Sequence, residues 1–314
     1  MYTVALSDLI DKMGLENCTP DIDINLIKIS LPDVNRPALQ LAGFFNHFDC
    51  ERVQVIGHVE SAYMRQQKKE HNIDMMNKLM EYRVPCIVFS SNLEIDEEYI
   101  KMGSKKGIPI LKTSKSTSSF MAEVIRWLKV ELAPRITIHG VLVDVYGEGI
   151  LITGESGIGK SEAALELIKR GHRLIADDVV EIKKVSQDTL IGTSPDITRH
   201  FIELRGIGII DVKTLFGIES VKITGSIDLV IKLEEWSRDK QYDRLGLEEN
   251  YIEYLGNKVI CHSIPIRPGR NLAIICEAAA VNHRQKKMGY NAAKELYKRV
   301  TDNLKNKELE REEK

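Results

Sequence analysis

The sequence predicts an α/β protein in two parts: a small N-terminal α/β domain over residues 1–130 and a C-terminal domain over residues 131–314 built on a phosphate-binding loop. Three observations carry that reading. Residues 154–161 read GESGIGKS, a complete GxxxxGKS pattern set between a strand-like run and a helix-like run. The first 130 residues alternate β-branched apolar runs with helical stretches, as layered α/β folds do. Near Pro134 the texture changes to a long strand-like run and a glycine turn, which sets the boundary.

In the first part, Val53-Gln54-Val55-Ile56-Gly57 and Cys86-Ile87-Val88-Phe89-Ser90 read as buried strands. Ser61 to Tyr82 between them carries a helical pattern rich in Met and charged residues. Met75, Met76 and Met80 read as core or interface filling, the ordinary use of that side chain. A short strand at Ile108-Pro109-Ile110-Leu111 follows, then an amphipathic helix from Ser116 to Leu132, capped by Ser116 or Thr117 and stopped by Pro134. This part carries no chemistry of its own that the sequence discloses.

In the second part, Arg135 to Tyr146 is strand-like, and Gly147-Glu148-Gly149 turns it back into the strand Gly149 to Thr153. Gly154, Glu155, Ser156, Gly157, Ile158, Gly159, Lys160 and Ser161 then form the loop, and a helix follows to Arg170, closed by Gly171. Strand, glycine loop and helix N-terminus make an anion site, because backbone N–H groups and the helix dipole point at a phosphate chain. Lys160 reaches outer phosphates and the Ser161 hydroxyl suits Mg²⁺. Arg173 to Ile182 is a hydrophobic run interrupted by Asp177 and Asp178, read as one extended strand in which only one carboxylate faces the phosphates. Ser237 to Leu247 reads as a mobile polar loop, and Asn303 to Lys314 as a solvated, fraying end.

Composition narrows the class. The 314 residues are 43% hydrophobic and 29% charged, as in ordinary globular proteins. A net charge of -2 gives no reason to expect nucleic acid as a partner. No run approaches the roughly 20 apolar residues that cross a bilayer. The N-terminus has neither a basic region nor a long apolar run, so no signal peptide is expected. Five scattered cysteines without a CxxC pair argue against a disulfide framework or zinc site, and the expected compartment is the cytoplasm.

Phosphoryl transfer needs charge neutralisation, a metal, and a group that handles the nucleophile's proton. The loop provides the first, and the Asp177–Asp178 pair is the natural candidate for the others, since two carboxylates in an apolar run are costly unless paired or metal-bound. In Phe201 to Asp211, alternation places Glu203 and Arg205 on one strand face; Glu203 either joins Ser161 on Mg²⁺ or forms a surface pair with Arg205. Pro265, Ile266, Arg267, Pro268, Gly269 and Arg270 make a stiff loop with two guanidiniums, suited to phosphate or simply a basic turn at a helix start. Arg244 lies in the polar loop, and His139 closes a strand-like run before Gly140.

In their order, these segments resemble the bacterial HPr kinase/phosphorylase family. The resemblance rests on Asn35 to Gly43, His139-Gly140-Val141, GESGIGKSE, Asp177-Asp178, Glu203 to Ile209, Tyr242 to Leu247, Ile264 to Asn271 and Met288 to Ala293. It covers nearly the whole chain. Ala38 and Leu204 stand where family members more often show Gly and Ile.

The resemblance implies a P-loop kinase/phosphorylase catalytic domain. Its reaction phosphorylates a seryl residue of HPr, the phosphocarrier of the sugar phosphotransferase system, from ATP or pyrophosphate. It removes that phosphate with inorganic phosphate, giving pyrophosphate, and so regulates carbon catabolite repression and sugar uptake. It further implies Asp178 as base and acid, Lys160 and His139 as charge neutralisers, and Arg244 as a clamp. Ser161 and Glu203 hold Mg²⁺, residues 265–270 serve dephosphorylation, and the assembly is a homohexamer.

Four other readings are weighed against it. A GTPase lacks support, since Asn257-Lys258-Val259-Ile260 has no guanine-reading carboxylate, and Val179 stands where a mechanical ATPase places a water-activating Glu. A small-molecule P-loop kinase stays open on the loop alone, whereas a nucleotide-gated regulatory binding module accounts for the loop and the metal site but not for the extra carboxylate.

Overall fold

The computed structural model describes residues 2–69, 74–240, 246, 247, 249–267 and 269–312. The chain divides into two compact units, Met1–Pro134 and Arg135–Lys314.

The first unit is a sheet between two helical layers. Its short leading strands are β1 (Val4–Ala5), β2 (Glu16–Asn17) and β3 (Lys28–Ile29), with α1 (Leu6–Met13) after β1. Next come β4 (Val34–Asn35), α2 (Ala38–Leu41), β5 (Val53–Ile56), α3 (His58–Lys69), α4 (Asp74–Glu81) and β6 (Ile87–Phe89). The unit closes with α5 (Glu97–Lys106), β7 (Ile110–Lys112) and α6 (Thr117–Glu131). The sheet order is β2-β7-β6-β5-β4, parallel from β4 to β7. Strand alternation sends Val53, Val55 and Val88 toward α1 and α6, and Ile56, Ile87 and Phe89 toward the Met76, Leu79 and Met80 side. Ser116 caps α6 by accepting from the Ser119 N–H, as its sequence position requires. The helical pattern read over residues 61–82 is helix on both sides of residues 70–73, as α3 and α4, those four residues lying outside the described ones.

The second unit begins with β8 (Arg135–His139), β9 (Val141–Val145), β10 (Glu148–Thr153), α7 (Lys160–Lys169), β11 (Arg173–Ala176), β12 (Val179–Lys184) and β13 (Leu190–Thr193). The hairpin β14 (Phe201–Leu204) and β15 (Gly208–Asp211) follows, then α8 (Val212–Phe216), β16 (Thr224–Ser226) and β17 (Leu229–Glu235). It ends with β18 (Tyr251–Tyr254), β19 (Asn257–Ile266), α9 (Leu272–Lys287) and α10 (Ala292–Glu312). A six-stranded sheet has the order β11-β9-β10-β17-β19-β18, with β10, β17 and β19 parallel. A four-stranded antiparallel sheet, β16-β13-β12-β8, covers one of its faces. The other face packs on α7 and α9.

Alternation builds both interfaces from the same strands. Ile150, Ile152, Leu229 and Ile231 face the helices, while Leu151 and Val230 face the second sheet. Burial on both sides explains why these strands read as continuous apolar runs.

Three sequence expectations change here. Arg173–Ile182 is not one strand: β11 and β12 lie in different sheets, with Asp177 and Asp178 at the break and Asp178 in the left-handed region at φ 64°. Pro265 and Ile266 belong to β19, opposite Glu234 and Glu235, so the loop starts only at Arg267. The expected fraying end is helical to Glu312, consistent with a Lys- and Glu-rich composition that favours helix.

Candidate active site

The glycine loop leaves the carboxyl end of β10 and enters α7 at Lys160, so the parallel strands aim it at the sheet edge where ligands of such folds bind. A pocket of about 90 Å³ opens there, lined by His139, Ser156, Gly157, Gly159, Lys160, Ser161, Glu162, Asp177, Asp178, Glu203 and Arg205. Of the catalytic and metal residues named from sequence, His139, Lys160, Ser161, Asp178 and Glu203 therefore meet in one place. Arg244 and Pro268 lie outside the described residues.

Lys160 is buried at 6% exposure. Its Nζ donates to the carbonyls of Gly154 (3.0 Å) and Glu155 (2.8 Å), which hold the ammonium across the loop it would share with phosphate. Burial lowers its pKa from the ordinary lysine value, and the nearby Asp177 and Asp178 carboxylates partly offset this.

Asp177 is the buried member of the acidic pair, 4% exposed. Its Oδ1 accepts from Ser161 Oγ at 2.8 Å, and its Oδ2 accepts from the Glu203 backbone N–H at 3.1 Å. One carboxylate thus ties the helix that carries Ser161 to the strand that carries Glu203. Burial raises its pKa, against the lowering effect of the Glu203 N–H and the Ser161 hydroxyl.

Asp178 points elsewhere. The left-handed backbone at this residue turns it out of the strand direction, and its Oδ1 lies 2.9 Å from Nδ1 of His139, both side chains being open to solvent. Strand β8 supplies His139 at the register position of Val179, and the Gly140 N–H donates to the Asp178 carbonyl. The divergence expected from strand alternation is thus produced by a turn.

Arg205 was read only as a possible partner of Glu203. It lies in the turn after β14, and its Nη2 donates to Ser156 Oγ at 2.9 Å. The guanidinium also lies beside Gly157, at φ 83°, and a Cβ there would force it to shift. The only sequence signal for this placement is the pair Gly206 and Gly208, which lets the hairpin turn tightly over the loop.

The basic segment lies at the same carboxyl edge, two strands from β10. The Arg267 guanidinium stacks 3.7 Å from the Trp236 ring centroid, and Arg270 Nη1 donates to the Pro265 carbonyl at 2.9 Å. Asn271 caps α9 and donates from Nδ2 to Glu166 Oε1 on α7, linking the segment to the loop helix.

The donors suit a hard divalent cation: the Ser161 hydroxyl and Glu203 carboxylate are oxygens, and Mg²⁺ takes one or two such ligands with phosphate oxygens and waters. No group of three or more His, Cys, Asp or Glu placed to hold a metal occurs among the described residues. No helix among them is long and apolar enough to cross a membrane.

Comparison with known proteins points one way. Residues 4–128 match the family described as HPr Serine kinase N terminus, and residues 130–300 the HPr Serine kinase C-terminal domain. The chain is 75% identical over 304 residues to the HPr kinase/phosphorylase of Lachnoclostridium phytofermentans, covering 97% of this chain and 98% of that one. It is 43% identical over 310 residues to the HPr kinase/phosphorylase of Bacillus subtilis, covering 99% and 100%. The solved structure of the Hpr(Ser) kinase/phosphatase from Coxiella burnetii is 38% identical and covers 51% of this chain and 98% of its own, with a TM-score of 0.47.

Proposed function

The chain belongs to the HPr serine kinase family, and from that premise we propose that it phosphorylates a seryl hydroxyl of HPr from ATP or pyrophosphate and reverses the reaction with inorganic phosphate. The observation that carries this reading is the Asp178–His139 contact at the mouth of the pocket that Lys160 closes.

In the forward direction the seryl oxygen attacks the outermost phosphorus, its proton passes to Asp178, and the bond to the leaving phosphate breaks. In reverse, an oxygen of inorganic phosphate attacks the phosphoserine phosphorus. Asp178 then returns a proton to the departing seryl oxygen, and pyrophosphate forms. One carboxyl group serves both directions because each retraces the other's proton path. His139 holds Asp178 in place, while Lys160 and Arg205 set positive charge against the phosphates. Ser161 and Glu203 would hold Mg²⁺, which when bound would supply positive charge against the phosphates. Arg267 and Arg270 serve the phosphorolytic direction, and Arg244 the phosphoryl group.

The protein acts in the cytoplasm as a homohexamer. In support of self-association, Ile197, Ile207, Ile209, Leu215, Ile218 and Ile223 are all 60% exposed or more within one stretch of the second unit. Through HPr, the enzyme regulates sugar uptake and carbon catabolite repression.

The test is incubation with HPr, Mg²⁺ and ATP, then with excess phosphate, followed by intact mass. A gain and then a loss of one phosphate on HPr is expected. Transfer to a small molecule, or no transfer, overturns the reading.

A further inference from the structure

Two helices meet at the phosphate loop. Helix α7 carries Lys160 and Ser161 in its first turn, and Glu166 follows Lys160 about 9 Å along the axis, at roughly 1.5 Å per residue. Helix α9 begins at Leu272, directly after the basic segment. Leu272 Cδ1 lies 3.8 Å from where a Cβ on Gly159 would stand, so the start of α9 rests against the loop itself.

The basic segment is a turn held at both ends. The Arg270 N–H donates to the Arg267 carbonyl at 3.2 Å, and Arg270 Nη1 donates to the Pro265 carbonyl at 2.9 Å. Arg267 lies on Trp236, the residue after β17. At the other end Asn271 uses both atoms of its amide. Oδ1 accepts from the Ile274 N–H at 3.0 Å and so caps α9, while Nδ2 donates to Glu166 Oε1 at 2.5 Å. A helix cap needs only the oxygen, which Ser, Thr or Asp also supplies. The nitrogen serves the contact with α7.

Glu166 is placed in turn by charged neighbours. Arg170 donates from Nη2 to Glu166 Oε1 at 3.4 Å and from Nη1 to Glu277 Oε2 on α9 at 3.1 Å. Glu277 Oε1 lies 3.0 Å from Nε2 of the buried His172. The two helices are thus tied at two levels, with Arg170 joining them. Glu166 is 42% exposed, so its ion pair adds little to stability. What the contact fixes is the distance between the loop helix and the arginine turn.

Phosphorolysis makes that distance matter. It must hold two phosphate groups at once, the attacking one and the one bonded to the seryl oxygen, so the arginines have to stand in register with the glycine loop. We infer that Glu166 is a positioning residue for this direction, acting through Asn271 on Arg267 and Arg270. The inference rests on the proposed assignment of those arginines to phosphorolysis.

Exchanging donor and acceptor tests it. Asn271→Asp keeps the cap, has no N–H to give, and sets two carboxylates face to face. The KM for phosphate in dephosphorylation of HPr should rise about tenfold, part of the roughly hundredfold that a 1 Å misplacement can cost. The kinase kcat and the KM for ATP should stay within about twofold, because the ATP contacts are untouched. Adding Glu166→Gln to Asn271→Asp puts an amide donor opposite a carboxylate acceptor again, and should restore the phosphate KM. Trp236 gives a readout that needs no transfer. With Trp127→Phe throughout, Trp236 is the one tryptophan left of two, and its emission should shift in Asn271→Asp and return in the double variant. The inference is overturned if phosphate KM and emission are unchanged in Asn271→Asp, if both directions of transfer fall alike, or if the added Glu166→Gln restores neither quantity. Should the parent move no phosphate to or from HPr, the functional reading falls instead, and the emission series alone decides the positioning role.

Discussion

Nδ1 of His139 lies 2.9 Å from Oδ1 of Asp178, although the two residues are 39 positions apart and belong to different strand connections. Antiparallel pairing of β8 with β12 sets His139 opposite Val179, and the left-handed turn at Asp178 brings its carboxylate round to the ring. The pair is built by backbone geometry, with neither side chain buried. Asp178→Asn keeps the shape and removes the proton acceptor. We expect both directions of transfer to fall by about 10²–10⁴-fold, the usual range for a lost general base. ATP affinity, measured by calorimetry, should stay within about twofold, as nucleotide contacts are untouched. Normal kinase turnover in this variant removes Asp178 from the mechanism.

Asp177 gives a different signature, because its pKa is raised by burial despite the Glu203 N–H and the Ser161 hydroxyl. Between the ordinary carboxylate value and the raised native value, the folded chain keeps a proton that the unfolded chain has released. This group's contribution to stability is therefore fully present below the unfolded value and is lost as pH rises through the native one. Asp177→Asn removes that dependence. Urea unfolding at a series of pH values should show parent stability declining relative to the variant with rising pH across the acid range. Parallel curves would contradict the raised pKa. Activity of the variant should drop as well, since Ser161 and Glu203 lose their common anchor.

Arg267 rests on Trp236 at the ends of paired strands, Glu235 facing Ile266 across the sheet. A cation over an indole is worth about 0.5–2 kcal/mol, according to how far it is desolvated. Arg267→Ala should impair phosphate-driven dephosphorylation more than phosphorylation. Trp236→Ala should reproduce part of that bias by freeing the guanidinium, and Trp236→Phe should restore most of it. Initial rates in both directions are the measurement. Equal losses in the two directions would leave the segment without a specialised role.

The glycine loop was legible because its chemistry is contiguous: eight residues specify the turn, the cation and the hydroxyl. Asp177 and Asp178 were legible as a chemical pair but not as a geometry. Their divergence depends on one residue at positive φ, which an aspartate run does not announce. The second sheet is not legible because β8 and β16 join the β12–β13 hairpin only by pairing over about 30 to 50 residues of chain. Arg205 reads as half of a surface pair until the hairpin folds it over the loop.

Gly157 and Arg205 supply the sharpest test of the pocket's construction. Gly157 sits at φ 83°, where an L side chain costs about 1–2 kcal/mol, and an added Cβ meets the Arg205 guanidinium as well. Gly157→Ala should therefore weaken ATP and phosphate binding by tenfold or more while circular dichroism stays unchanged. Arg205→Ala alone should also weaken phosphate binding, through loss of its charge. In the Gly157→Ala background the same change relieves a collision, so its cost should shrink or reverse. A double-mutant cycle on phosphate affinity measures the difference, and contacting residues show couplings of about 0.5–3 kcal/mol. Strict additivity would mean that Arg205 does not lie over the loop when phosphate is bound.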